Sequence, residues 1–179
     1  MSFVLIRKVK VNTRQTRFAD PIVFEVTFES VQALPSPIEW KMVYVGSGES
    51  EKFDQTLACV MVGPAPAGLN RFVFEGGPPN IADIPQEELI DVTIVLLIGT
   101  YSDQEFVRVG YYIMNEHTGD PSTLDPEKIQ RVFIEEETPR VTYFPIRWTE
   151  TYTEIPQPGI CDAETGETGQ GETLKDCEN

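Results

Sequence analysis

The chain has 179 residues, 40% of them hydrophobic, and carries 29 acidic side chains against 14 basic ones for a formal net charge of -15. That balance argues against nucleic acid and anionic membranes as direct partners and favours a basic one. The length suits one domain and a tail, and no run approaches the roughly 18 apolar residues of a membrane-spanning helix.

The opening MSFVLIRKVKV alternates apolar and polar residues, which predicts a strand over 3–11 and not a secretory leader. Residues 22–29, IVFEVTFE, alternate most cleanly: Ile22, Phe24, Val26 and Phe28 share one face. Strands are also expected over 38–45, 55–62 and 70–74. PAPAG (64–68) reads as a turn and GGPPN (76–80) as a loop. PQEEL (85–89) suits one helical turn with Pro85 near its start. Residues 122–137 read as the one real helix, with Asp125 as N-cap, Pro126 at the first position and Ile129, Val132 and Phe133 on one face. A last strand is expected over 140–148, with Pro145 marking an edge or a bulge.

The three cysteines, Cys59, Cys161 and Cys177, have no metal spacing, and their odd number places the protein in a reducing, intracellular setting. Residues 1–148 form the expected folded core. Residues 149–179 hold eight acids and one Lys with little to bury, and read as a disordered acidic tail. The succession of short strands with turn punctuation indicates an all-β sandwich with one or two short helices.

Catalysis finds little support. The single His117 lies in a polar loop with no nucleophile motif beside it, no phosphate-cradling glycine loop is present, and acidic runs such as Glu135–Glu136–Glu137 read as solvated faces. The expectation is a binding protein, not an enzyme.

The hairpin 91–112, DVTIVLLIGTYSDQEFVRVGYY, is more informative, because its first strand is apolar on both faces. A three-residue loop of Ser102, Asp103 and Gln104 sets Ile94 opposite Tyr112, Leu96 opposite Gly110 and Ile98 opposite Arg108. A two-residue loop shifts the pairing by one. The first register gives a core face of Val95, Leu97, Val107, Val109 and Tyr111. It also gives a mixed face of Val92, Ile94, Leu96, Arg108 and Tyr112, with Gly110 leaving room for an approaching chain. Composition does not decide whether that second face is core under a loop or an interface centre. The polar loop 46–55 carries Glu49, Glu51 and Asp54. An acidic rim around an apolar patch suits a basic amphipathic helix.

Blocks in order along the chain carry a resemblance: DPIVFEVTFE, EWKMVYVGS, DQTLACVMVGPAPAG, FVFEGGPPN, TIVLL, EFVRVGYYIMNE and TPRVTYFPIRW. Together they resemble the anti-silencing-function family of histone chaperones over most of residues 1–148. The resemblance implies an immunoglobulin-like sandwich that binds one histone H3–H4 dimer, blocks its tetramerisation and hands it over for nucleosome assembly and disassembly. It implies a nuclear and cytoplasmic monomer needing no ATP, metal or other cofactor.

By position, the implied histone H3 surface is Val45, Glu49, Asp54, Glu88, Val92, Ile94, Leu96, Arg108 and Tyr112. The implied histone H4 contact is Tyr111, Pro139, Arg140 and Thr142. A second groove for deposition chaperones falls at Glu39, Met61, Val62 and Phe72. The competing reading is a sandwich adaptor that takes a non-histone basic helix or peptide on the same patch.

Overall fold

The computed structural model describes residues 2–12, 14–120, 122–134 and 139–148. The tail 149–179 and the acids Glu135, Glu136 and Glu137 lie outside the described residues. Ten strands run in chain order: β1 (Val4–Val11), β2 (Gln15–Arg17), β3 (Ile22–Ser30), β4 (Ile38–Tyr44), β5 (Gln55–Val62), β6 (Gly68–Gly76), β7 (Val92–Tyr101), β8 (Gln104–His117), β9 (Ile129–Phe133) and β10 (Arg140–Tyr143). Single 3-10 turns at Glu51–Phe53, Ile81–Asp83, Gln86–Glu88 and Pro126–Lys128 provide the helical content among the described residues. The expected all-β sandwich is the observed fold.

One antiparallel sheet has the order β1-β3-β6; the other runs β2-β9-β8-β7-β4-β5, with β10 added to β8. The sheets close on each other because their strands alternate. In β3, Ile22, Phe24, Val26 and Phe28 are buried and the residues between them are not. In β4, Ile38, Trp40, Met42 and Tyr44 answer from the facing sheet. Aromatic rings bridge the layers, with Phe28 6.1 Å from Trp40 and Phe24 4.9 Å from Tyr111 between ring centroids. Each such ring contributes on the order of 1.5–3 kcal/mol by leaving water.

The expected helix over 122–137 is not observed. Asp125 does cap, accepting from the Glu127 N–H at 3.0 Å, and Pro126 opens a turn, but the turn ends at Lys128 and β9 follows. In β9 Ile129, Arg131 and Phe133 point inward, whereas Val132 points outward. The period is two. It was concealed because a fully buried arginine stands where the alternation calls for an apolar residue. Arg131 donates to the carbonyls of Phe18 at 3.3 Å and Asp20 at 2.7 Å, and to Thr16 Oγ1 at 3.2 Å. It thereby tethers β2 and the following turn to the sheet. Burial pushes its pKa down to about 10 against the pull of Tyr44 and Asp20.

The β7–β8 hairpin combines both loop readings. Its turn is the two-residue Ser102–Asp103, both at positive φ (48° and 59°), the type I′ geometry that matches strand twist. Thr100 then pairs with Glu105, but Gly99 pairs with Val107, so Phe106 is an extra residue in β8. This bulge restores the register expected from a three-residue loop: Ile98 opposite Arg108, Leu96 opposite Gly110, Ile94 opposite Tyr112. The last strand is shorter than expected and ends at Tyr143. The chain beyond turns Trp148 back into the core, where it stacks on Phe3 at 5.5 Å and on Tyr101 at 5.6 Å.

Gly99 makes the bulge possible. A Cβ there would lie 2.8 Å from Val107 Cγ1 and 2.9 Å from Phe106 Cζ. The Phe106 ring cannot retreat, because Trp148 is 5.0 Å away. Gly99→Ala is expected to lower stability by about 1–3 kcal/mol in urea denaturation; an unchanged midpoint would show that the bulge relaxes.

Candidate functional site

On the outward side of β7, Ile94 and Leu96 are half-buried and Val92 is 48% exposed. On the inward side Val95 and Leu97 are fully buried. The first strand of the hairpin is thus apolar on both faces for two reasons: one face is core, and the other is an open strip.

Two depressions share that strip. One, of about 190 Å³, is lined by Ile94, Leu96, Arg108, Gly110, Tyr112, Arg140 and Thr142. The other, of about 150 Å³, has Val45, Gly46, Gly48, Glu88, Val92 and Thr93 in its wall. Ile94 and Tyr112 line both, so the surface is continuous. Gly110 forms the floor, where an added Cβ would meet Ile94 and Leu96 at 3.6 Å. Val43, paired with Leu96, and Ile98 extend the strip toward β4. Val43 was not singled out from the sequence, because half-burial leaves no mark on an apolar residue.

The rim is charged. Glu49 is exposed on the loop after β4. Asp54 closes the Glu51–Phe53 turn, and one of its carboxylate oxygens is buried without a hydrogen-bond partner. Burial first, and the nearby Glu51 second, raise its pKa above the ordinary aspartate value, while Arg108 pulls the other way. Glu88 has a structural duty: it accepts from Ser47 Oγ at 2.5 Å and from the Gly48 N–H at 2.9 Å, which fixes the rim loop. Val45 donates its N–H to the Ile94 carbonyl at 3.0 Å and continues the sheet past β4.

The residues expected to contact H4 divide. Arg140 and Thr142 stand opposite Gly110 and Arg108 across β10 and β8, on the apolar strip's own face, with Pro139 just before them. Tyr111 points the opposite way. Its ring packs on Phe24, and its hydroxyl donates to the Val9 carbonyl at 3.0 Å. Burial pushes its pKa up to about 12. β10 pairs with 107–110 of β8 and β9 with 113–117, so Tyr111 and Tyr112 sit at the junction between them.

The residues expected in the second groove also separate. Glu39 and Met61 pair across β4 and β5 on the outward face, and Met61 is 60% exposed. They line a recess of about 250 Å³ with Ser36, Pro37 and Thr100. Val62 and Phe72 instead turn toward the core, where Phe72 lies 5.5 Å from Trp40. Glu39 accepts from the Cys59 thiol at 3.2 Å and pairs with Lys41 at 3.3 Å. The first of these bonds is the main reason the Cys59 pKa is raised and the thiolate disfavoured. His117 is engaged in its turn, accepting from the Asp125 N–H at 3.2 Å. Among the described residues no cluster of three or more His, Cys, Asp or Glu could hold a metal ion.

The protein is a β-sandwich with an open apolar strip edged by Glu88 and Asp91, the form that a protein-binding surface takes. Comparison with known proteins gives the family. The model of the ASF1-like histone chaperones matches residues 1–149. Histone chaperone ASF1 of Mycosarcoma maydis is 40% identical over 97% of this chain and 99% of its own length. Histone chaperone cia1 of Schizosaccharomyces pombe is 45% identical over 83% of this chain, and the match spans 61% of that protein. Histone chaperone asf1a-B of Xenopus laevis is 44% identical over 83% of this chain and 76% of its own length. The chain belongs to the ASF1-like histone chaperone family.

A carboxylate held above its ordinary pKa costs folding free energy wherever it is ionised in the native state. Asp54→Asn is therefore expected to raise the melting temperature modestly at neutral pH. The gain should vanish as pH falls below the ordinary aspartate value of 3.8, where both states are protonated. A gain that persists in acid would assign the effect to packing instead of charge.

Proposed function

We propose that the protein binds a histone H3–H4 dimer and shields the surface through which H3 would pair with a second copy. The observation that carries this reading is the open row Val92–Ile94–Leu96, flanked by Arg108 and Tyr112 and edged by Glu88 and Asp91, with Asp54 close enough to act on Arg108. It is offered by a chain of the histone chaperone family. An amphipathic helix laid along this row covers its apolar side chains, and its basic residues meet the acidic rim.

The outer edge of β10 is suited to a strand from the end of H4, beside Arg140 and Thr142 and near the junction at Tyr111. The net charge of -15 steers a basic cargo and keeps it from DNA. Transfer is exchange between binding partners and needs no cofactor. Work in the nucleus, with passage through the cytoplasm, fits that cargo, as does a monomer. Glu39 and Met61 provide the exposed part of a second docking groove for deposition chaperones, with Val62 and Phe72 as its core-side support.

The deciding measurement is size-exclusion chromatography with light scattering on the protein mixed with recombinant H3–H4. A complex of one copy of each chain is expected. Ile94→Arg should weaken binding by about 2–4 kcal/mol, a loss of at least about thirtyfold in affinity, with an unchanged circular dichroism spectrum. A complex retaining the histone tetramer, or none, would favour the adaptor reading, in which this strip takes a non-histone basic helix. Deleting 149–179 is expected to weaken association more at low salt than at high salt; a salt-independent effect would refute the tail's steering role.

A further inference from the structure

Arg108 is the one cation of the described strip on β7 and β8, and its environment is built. Its Nε donates to Glu105 Oε1 at 2.8 Å and its Nη2 to Glu105 Oε2 at 3.0 Å, a two-pronged bond along one edge of the guanidinium. The Phe144 ring lies 5.8 Å from its central carbon. In a regular strand, residues three apart face opposite sides of the sheet. Glu105 and Arg108 share a side because the bulge at Phe106 inserts one residue between them. The bulge that corrects the register thus also brings this carboxylate to the guanidinium.

A guanidinium has two edges that can grip a carboxylate. Glu105 occupies the edge formed by Nε and Nη2. The other, formed by Nη1 and the second hydrogen of Nη2, has no hydrogen-bond partner among the described residues. We propose that Glu105 is a positioning residue for the binding surface: it fixes Arg108 side-on and presents the free edge to a carboxylate on the incoming helix. This rests on the histone-binding reading above and deepens it. The cargo helix must then carry an acidic residue beside its apolar face, although the cargo as a whole is basic. Arg108 is ordered before the partner arrives, so the loss of its rotamer freedom is not charged to binding. The partner need not displace Glu105 to reach it.

The test is a double-mutant cycle on the full chain with the H3–H4 dimer, using Glu105→Gln, Arg108→Ala and the double variant, at low and moderate salt. Glu105→Gln is expected to weaken binding by about two- to tenfold when Arg108 is present and to have little effect in the Arg108→Ala background. That coupling should persist at higher salt, because it acts at contact distance. The Arg108 Nε–H resonance of the free protein should be sharp in the wild type and lost in Glu105→Gln, at unchanged melting temperature.

Tighter binding by Glu105→Gln would mean that Glu105 competes with the partner, and would overturn the proposal. Equal losses in both backgrounds would mean that Glu105 contacts or steers the cargo itself, and no loss in either would remove its role; both overturn it. If the wild type fails to bind and matches Ile94→Arg, the histone reading fails and the proposal falls with it. If the wild type binds and the coupling is nil, only the proposal falls.

Discussion

The extra residue at Phe106 is the constraint on which the hairpin and its binding face depend. A two-residue turn with both residues at positive φ closes the hairpin tightly but sets a register one residue out of step. Without the bulge, the residues of β8 would exchange faces: Val107 and Val109 would leave the core and Arg108 would enter it. The bulge is held by packing. Phe106 is fully buried against Trp40 and Trp148, and Gly99 leaves the space that it and Val107 occupy. A glycine on one strand and a tryptophan close to the end of the described chain thus fix which side chains of β8 face outward.

Charge in this molecule follows two different rules. Arg131 is buried at the β9 end of the seven-stranded sheet and saturates backbone carbonyls of the 16–20 region, so its position is structural. Asp54 is partly buried with one oxygen unsatisfied and a raised pKa, although a neutral side chain would serve the fold there. Arg131 serves the fold through the carbonyls it holds, and Glu88 supports the loop after β4 through Ser47 and Gly48.

The two histone contacts implied by the family resemblance are neighbours in the tertiary structure. Arg140 and Thr142 are separated by about thirty residues from the β8 positions they face, yet they line the same depression as Ile94 and Leu96. A helix on the strip and a strand on the β10 edge would therefore meet along one border. Such an arrangement suits a cargo made of two intertwined chains better than two unrelated ligands.

Alternation alone determined most of the sandwich. Ile22, Phe24, Val26 and Phe28 declare their face in the sequence, and β3 and β4 begin where the period-two pattern begins, because burial on one side of a pleated strand repeats every second residue. The apolar strip was legible as an anomaly, a strand too apolar for one wet face, and its pairing with Arg108 and Tyr112 was readable in register. Three features were decided only by the tertiary structure. β9 was hidden behind a buried arginine whose partners lie more than a hundred residues away. The bulge was hidden because the need for it arises from core packing by Trp148. Glu105 was hidden because its side of the sheet depends on that bulge. Periodicity reports how a residue meets its own strand. It does not report the long-range contacts that break the period, and here the partner for Arg108 is supplied by one such break.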